Sequence, residues 1–511
     1  MDHESAGVRA GETDGGSDDA VIDLHVTDAA NAAGPGQVTA GAGGVAALNR
    51  AGVADGLPFL LGSDGSYDLQ LNRFFRELDG WGVRAANSVL AYARDIMLFC
   101  RFLAQSRGGK AIWECDTADL RAYKRARLHT PGPARVSVAT WRRSVAALDK
   151  WAAWSVYEGL IGQLPFRYVD RTVFTPQGMR QIRINAESEP DPGPAPVRFV
   201  SFEDYLLWRD VGLRGRFPDG RPDPSWRGRH DERNALFADL LIYTGMRLSE
   251  ASCLLVPELP GARAAARGLG AIHLGAAVTK RSRARTVFAP PRLVRALDRY
   301  ARIERGELVA RLSAAGGYRL GGQAMAVHRA GRTGVSLADG GAVPFGRLGP
   351  DARRRLLLVT PDGEVAGPLA LWLSAGGQPV APATWQSVFA RANARCERFG
   401  VGVLVTPHTL RHSFAVHMLG LLLRQTVAAL GEDPARTCTS AQVKRLLVGN
   451  PLRRLQLLLG HAQEATVYTY LDVLDEAQEI VASALARWDA QAGALAAVLA
   501  GDEVPAAEEA S

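Results

Sequence analysis

The chain reads as a mainly α-helical protein with a small β-sheet in its second half. Three observations carry that expectation. Between about residues 67 and 166, apolar residues recur every three or four positions, the period of helices that each bury one face. Residues 234–243 (NALFADLLIY) form a further apolar helical run that ends on Thr244-Gly245. Beyond it, Ala271–Leu274 and Arg285–Phe288 read as two short strands on either side of a basic turn, Lys280-Arg281-Ser282-Arg283,.

The elements follow in order. Residues 1–64 are acidic and rich in Gly and Ala, with no sustained apolar period, and read as a disordered tail. A buried helix is expected over Ala91–Leu103, stopped by Gly108-Gly109,. A second starts near Asp116-Thr117-Ala118-Asp119, whose short acceptors suit a helix N-terminus,. A third runs from about Ser137 to Tyr157, with Val138, Trp141, Val145, Leu148 and Ala152 on one face. Arg142, Arg143 and Lys150 fall off that stripe; they are solvated charges or, in a chain that handles DNA, phosphate contacts. Residues 67–166 thus form one helical domain. Residues 167–199, with Pro190, Pro192, Pro194 and Pro196 around Gly193, read as a linker,.

Residues 200–488 form a second, mixed domain. Within it, residues 312–350 contain much Gly and little periodicity and read as a loop or insertion,. Helices resume at Thr384-Trp385-Gln386. Val473, Ala477, Ile480, Val481, Ala484 and Trp488 mark a final amphipathic helix, followed by an acidic tail, 489–511.

A length of 511 residues suggests two or three domains,. The 47% apolar and 22% charged content is that of an ordinary soluble protein,. No apolar run is long enough for a membrane span and no secretory leader is visible,. Five scattered cysteines, Cys100, Cys115, Cys253, Cys396 and Cys438, form neither a disulfide framework nor a metal-binding pattern,. A reducing cytoplasm is the expected compartment. Ten acids against two arginines give residues 1–64 a charge of −8, and five acids give residues 489–511 a charge of −5. The net +7 therefore leaves +20 on residues 65–488. A body this basic suits a polyanionic partner.

The chemistry lies in widely spaced motifs: Thr244-Gly245-Met246-Arg247-Leu248-Ser249-Glu250, His408-Thr409-Leu410-Arg411-His412, and Leu459-Gly460-His461 with Tyr470 nine residues on. Two guanidinium groups present planar, permanently charged donors that match phosphate oxygens. Arg247 and Arg411 are therefore the expected clamp for a phosphodiester that gains negative charge during attack. Gly245 permits a tight turn before Arg247, and Glu250, three residues on, is expected to orient it. His408 and Arg411 share a helical face, and a histidine exchanges a proton near neutral pH. His408 and His412 are also four apart, a metal-ligand spacing, but Thr409 stands where the zinc-protease motif requires Glu and no third ligand is near,. His412 is expected to pack behind the site. Tyr468 lies two residues from Tyr470.

Together these motifs resemble the tyrosine recombinase (phage integrase) family, over roughly residues 67–485. The resemblance implies a helical core-binding domain followed by a catalytic domain, the pair forming a clamp around double-stranded DNA. It implies Tyr470 as the nucleophile that forms a 3′-phosphotyrosine link, and His461 as a phosphate-oxygen donor. It also implies Lys280, on a β-turn, as general acid to the leaving 5′ oxygen. Lys280 lacks the Gly-Lys-Gly context frequent in relatives, so a simple phosphate-binding lysine stays open. Arg281 and Arg283 join Arg142, Arg143 and Lys150 as candidate DNA contacts. No cofactor or metal is implied. A tetramer on paired sites is implied, with accessory proteins that set direction. Whether the C-terminal helix closes its own core or docks on a neighbour stays open.

Two departures stand out. The interval from Arg411 to His461 is long, with an insertion around 425–449, and Leu471-Asp472 follows Tyr470 where Thr-His is frequent. The expected activity is site-specific recombination in integration, excision or resolution of a DNA element. Its rivals are a type IB topoisomerase-like relaxation activity and a catalytically silent DNA-binding protein.

Overall fold

The computed structural model describes residues 22–26, 56–175, 178–190, 193, 197–261, 270–321, 324–431, 450–460, 465–468 and 470. The chain divides into two compact units, Met1–Ala195 and Pro196–Ser511.

Among the described residues the first unit holds four α-helices: α1 (Leu69–Glu77), α2 (Ala86–Ser106), α3 (Thr117–Lys124) and α4 (Val138–Tyr157). Each of three begins where a short acceptor is available. Asp68 accepts from the Leu71 amide, Ser137 accepts from the Thr140 amide, and Asp116 and Asp119 cap reciprocally,. On α2 the buried side chains Val89, Ala93, Ile96, Phe99 and Leu103 recur at helical spacing. They face the Trp141, Val145, Leu148 and Ala152 stripe of α4 in one core. Fully burying each large side chain there contributes roughly 1.5–3 kcal/mol.

Two expectations for this unit are corrected. Within the span read as a disordered tail, Ile22–Val26 (β1) pairs antiparallel with Pro58–Gly62 (β2). Ile22 and Leu24 pack on the helical core, and Arg101 donates to the Ile22 carbonyl (2.7 Å) and pairs with Asp23. A five-residue strand with 31 residues before its partner leaves no periodic signal. The span read as a linker holds a β-hairpin, β3 (Tyr168–Thr175) with β4 (Gly178–Asn185). Its base is fastened where Asp149 accepts from both the Tyr168 hydroxyl and the Asn185 amide.

The second unit is built on α5 (Phe202–Gly212), α6 (Asp231–Thr244), α7 (Leu248–Ser252), α8 (Pro291–Arg302), α9 (Glu304–Ala314), α10 (Pro350–Arg354), α11 (Pro382–Arg398), α12 (Pro407–Gly431), α13 (Pro451–Leu459) and α14 (Ala465–Tyr468). Helix α6 is apolar almost all round because it is central: Ala235 through Ala238 and Leu240 through Ile242 are all buried,. The Phe237 ring stacks on Trp385 of α11 at 3.6 Å.

Two sheets complete the described part of the unit. Gly270–Leu274 (β5) and Arg285–Ala289 (β6) pair antiparallel, as the pattern expects. Residues read as a loop or insertion instead supply most of a five-stranded sheet. Its order is β11-β10-β7-β8-β9, from Met325–Ala330 (β7), Gly334–Leu337 (β8), Ala342–Pro344 (β9), Leu356–Val359 (β10) and Val365–Pro368 (β11). The strands are four residues long on average and Gly-rich at their turns, too short for alternation to register. None of the described helices is long and apolar enough to cross a membrane. The tail 489–511, the final helix at 473–488 and most of the 425–449 insertion lie outside the described residues.

Candidate active site

The first wall of the site is the end of α6. Gly245 caps the helix with φ +63°, and a Cβ there would run into the Phe414 ring. Both facts require glycine at this position. The sharp exit delivers Arg247 to the N-cap of α7, where Glu250 sits at the third helical position.

Glu250 has no exposed side-chain surface and is the hub. Its Oε2 accepts from the Arg247 amide (2.7 Å) and Arg285 Nη2 (2.6 Å). Its Oε1 accepts from Arg247 Nη1 (3.1 Å) and Arg285 Nη1 (2.7 Å). Burial pushes the Glu250 carboxyl up, but Arg285 and Arg247 outweigh it and hold it below its ordinary range,. The supporting role expected for Glu250 therefore has a geometry, and it extends to a second arginine.

Sequence reasoning gave Arg285 no role. It heads β6 in phase with buried Val287 and Ala289, and that phase was the available signal: an arginine on the inward face of a strand needs a buried partner,. Its Nε donates to the Leu458 carbonyl, and its side chain lies against Gly460, where a Cβ would meet Arg285 Cδ at 2.9 Å. Gly460 itself caps α13 with φ +67°.

Arg411 enters from α12 and is almost fully buried. One Nη donates to the Gly245 carbonyl and the other to the Leu459 carbonyl. These bonds tie together the ends of α6 and α13 and leave three of its five N–H groups. Burial first, then Arg247 and Arg285, push Arg411 down to about 9, so it stays charged at neutral pH. Two guanidinium groups therefore bond one carboxylate, and a third lies within electrostatic reach of it.

His408 lies one turn before Arg411, half-buried. Burial, Arg411, Arg247 and Lys280 all push its pKa below the ordinary value, so the ring is neutral at pH 7,. That Lys280 acts on His408 puts the lysine within electrostatic reach. Lys280 itself is exposed, on a single-turn helix Lys280–Ser282 whose shape is held by Thr279 Oγ1 donating to the Arg283 carbonyl. Ser282 takes φ +51°, a region that favours glycine,.

Tyr470 is 2% exposed and Tyr468 is 47% exposed. The Tyr470 hydroxyl lies 3.1 Å from Nδ1 of His412. His412, expected to pack behind the site, thus meets the candidate nucleophile directly. Burial, His408 and Arg411 push His412 down to about 4, so it is neutral and can accept the hydroxyl proton. Burial raises the Tyr470 phenol, while Arg411 and Arg247 pull it the other way. His461 lies outside the described residues, directly after Gly460.

The candidate DNA contacts divide. Arg143 is engaged by buried Asp95 through two bonds (2.8 and 3.1 Å), and Lys150 donates to the Trp81 carbonyl. Both charges have partners inside the unit: buried Asp95 needs the counter-charge that Arg143 supplies,, and Lys150 closes on a backbone carbonyl. Arg142 is half-buried and also has a partner. Arg283 is exposed, and the side chain of Arg281 lies outside the described residues.

Comparison with known proteins gives two kinds of likeness. Residues 71–159 match the family described as phage integrase, N-terminal SAM-like domain. The chain is 33% identical over 116 residues to the tyrosine recombinase XerD of Corynebacterium glutamicum. That stretch covers 22% of this chain and 36% of the relative, so the match spans about a third of the curated protein's length. Among solved structures, the XerH site-specific recombinase bound to difH substrate is 15% identical, with 78% of this chain and 80% of that chain covered and a TM-score of 0.41. A lambda integrase dimer bound to a core site is 12% identical, with 78% and 93% covered and a TM-score of 0.40. The motif-based resemblance is borne out: the chain is similar to the tyrosine recombinases of the phage integrase family, and residues 71–159 match its N-terminal SAM-like domain.

Proposed function

We propose that this chain is a site-specific DNA recombinase that cuts and rejoins double-stranded DNA through a 3′-phosphotyrosine intermediate on Tyr470. The observation that carries this reading is the excess of buried positive charge beside a buried tyrosine. Arg247 and Arg285 bond one carboxylate, Arg411 lies within electrostatic reach of it, and burial first, then repulsion from Arg247 and Arg285, depress Arg411 to about 9. A phosphodiester supplies the missing negative charge, and more of it in the transition state.

In the proposed step the Tyr470 oxygen attacks phosphorus and the bond to the 5′ oxygen breaks. The phenol proton passes to a neutral histidine, His412 at 3.1 Å or His408 beyond it. Lys280 gives its proton to the leaving 5′ oxygen. Arg247 and Arg411 bind the non-bridging oxygens, with His461 as a further donor. A 5′ hydroxyl from a partner strand reverses the step, so the bond energy is conserved and no oxidant, reductant or nucleotide enters the balance.

The test is covalent capture on a nicked cognate duplex recovered by crosslinking from the host. Tyr470→Phe abolishes the protein–DNA adduct and keeps binding, while Tyr468→Phe forms it normally. An adduct with Tyr470→Phe and none with Tyr468→Phe refutes the choice of nucleophile. Relaxation of supercoiled DNA without exchange between two sites would instead indicate a topoisomerase-like enzyme.

A further inference from the structure

The five-stranded sheet takes no part in the chemistry above, yet it is built firmly onto the site's elements. Arg353, 1% exposed, donates to the carbonyls of Leu348, Cys253 and Phe345 and to Glu258. Cys253 caps α7, the helix that carries Glu250. At one end of the sheet the packing is closer still. A Cβ on Gly275 would meet Gly346 Cα at 2.5 Å, so the single turn Phe345–Arg347 lies directly on the residue that follows β5. From Gly275 the chain runs straight into the turns that present Lys280. The Phe345 amide donates to the Thr333 carbonyl (2.9 Å), which joins the tip of the β7–β8 hairpin to the same end.

This end is basic. Arg329 on β7, Arg332 in the β7–β8 turn and Arg347 beyond β9 are exposed, and among the described residues none of them forms an ion pair. Two of the sheet's acids lie apart. Asp339 occupies the opposite turn, where it accepts from the Gly341 amide, and Asp351 pairs with Arg354. Asp362 and Glu364, on the β10–β11 turn, sit at the same end but across β7 from the Gly275 contact. The turn that carries Arg347 therefore packs on the segment leading to Lys280, Arg329 and Arg332 lie at the same end of the sheet, and acid bounds them on the β10 side.

We propose that this end of the sheet is a phosphate-contacting surface that continues the Lys280 turn along the backbone of duplex DNA. The proposal rests on the recombinase reading above. Exposed guanidinium groups without acid partners among the described residues, at the end of the sheet that packs on the segment leading to Lys280, fit sugar-phosphate contact and carry no base readout. The sheet would extend the footprint beyond the cleaved phosphate and add affinity without sequence preference.

The test measures binding of a fluorescein-labelled duplex of about 40 base pairs and arbitrary sequence, from about 50 to 200 mM salt, where log affinity falls by roughly 0.9 for each phosphate contact per unit of log salt. R329A/R332A/R347A lowers that slope by up to about three and weakens binding equally on unrelated sequences. The single variant R332A, which removes one exposed side chain, lowers it by about one. The control R221A/R227A/R302A removes the same charge from other elements of the unit and keeps the full slope. Unaltered slopes in the triple variant, or an equal fall in the control, overturn the sheet's role alone. No duplex binding by the unaltered protein at about 50 mM salt overturns both this proposal and the recombinase reading.

Discussion

Replacing Glu250 by Gln tests the organisation of the site most directly. The glutamate accepts four hydrogen bonds, three from guanidinium groups and one from the Arg247 amide. Glutamine has nearly the same shape, but its amide group keeps one acceptor oxygen and turns two N–H groups toward donors. At about 1.5–3 kcal/mol for each hydrogen bond to a charged group, the loss of two, with buried Arg285 and partly buried Arg247 left without a counter-charge, predicts a destabilisation of about 3–5 kcal/mol. Urea unfolding of the two proteins at pH 7 measures it. The pH dependence sharpens the test. The folded Glu250 carboxyl lies below its unfolded value, so its contribution is complete above the unfolded pKa, near 4.5, and is lost as pH falls through the folded pKa,. The difference between the two proteins should therefore shrink on acidification below about pH 4.5. A glutamine variant within 1 kcal/mol of the unaltered protein at pH 7 would refute the view that Glu250 holds the arginines in place.

Three further outcomes follow from the geometry. Gly245→Ala forces a side chain into a left-handed residue and onto the Phe414 ring, at about 2–5 kcal/mol from backbone strain and overpacking together; calorimetry on the purified protein reads it. His408 has a depressed pKa, so the acid limb of the covalent-capture rate should lie below the ordinary histidine range, and His408→Gln should lower the rate and remove that limb,. His412→Phe should slow capture by roughly tenfold or more while duplex affinity is unchanged, because the ring acts on the Tyr470 hydroxyl and not on the phosphate clamp,; equal capture rates would return His412 to a packing role.

Much of this protein is written in local pattern. The 3.6-residue period marks α2 and α4 wherever one face is buried, and the short acceptors Asp116 and Ser137 mark where helices begin. Arg247 and Arg411 are legible because their contexts, Gly245 before one and His408 on the same face as the other, are local. Contacts distant in sequence leave no such mark. Arg285 reads as one more strand residue until β6 lays it on Glu250, 35 residues earlier. Arg143 reads as an exposed charge until α2 presents Asp95. His412 reads as a packing residue until Tyr470, 58 residues on, brings its hydroxyl to the ring. Strand β1 and the five-stranded sheet are invisible for the same reason: their hydrogen bonds are made to other segments, and a strand of four or five residues carries too few positions to announce its partner. Amino-acid order alone thus suffices for which helices form and which groups can meet a phosphate. Chain folding settles which charges neutralise one another, and so which arginines keep no acid partner among the described residues.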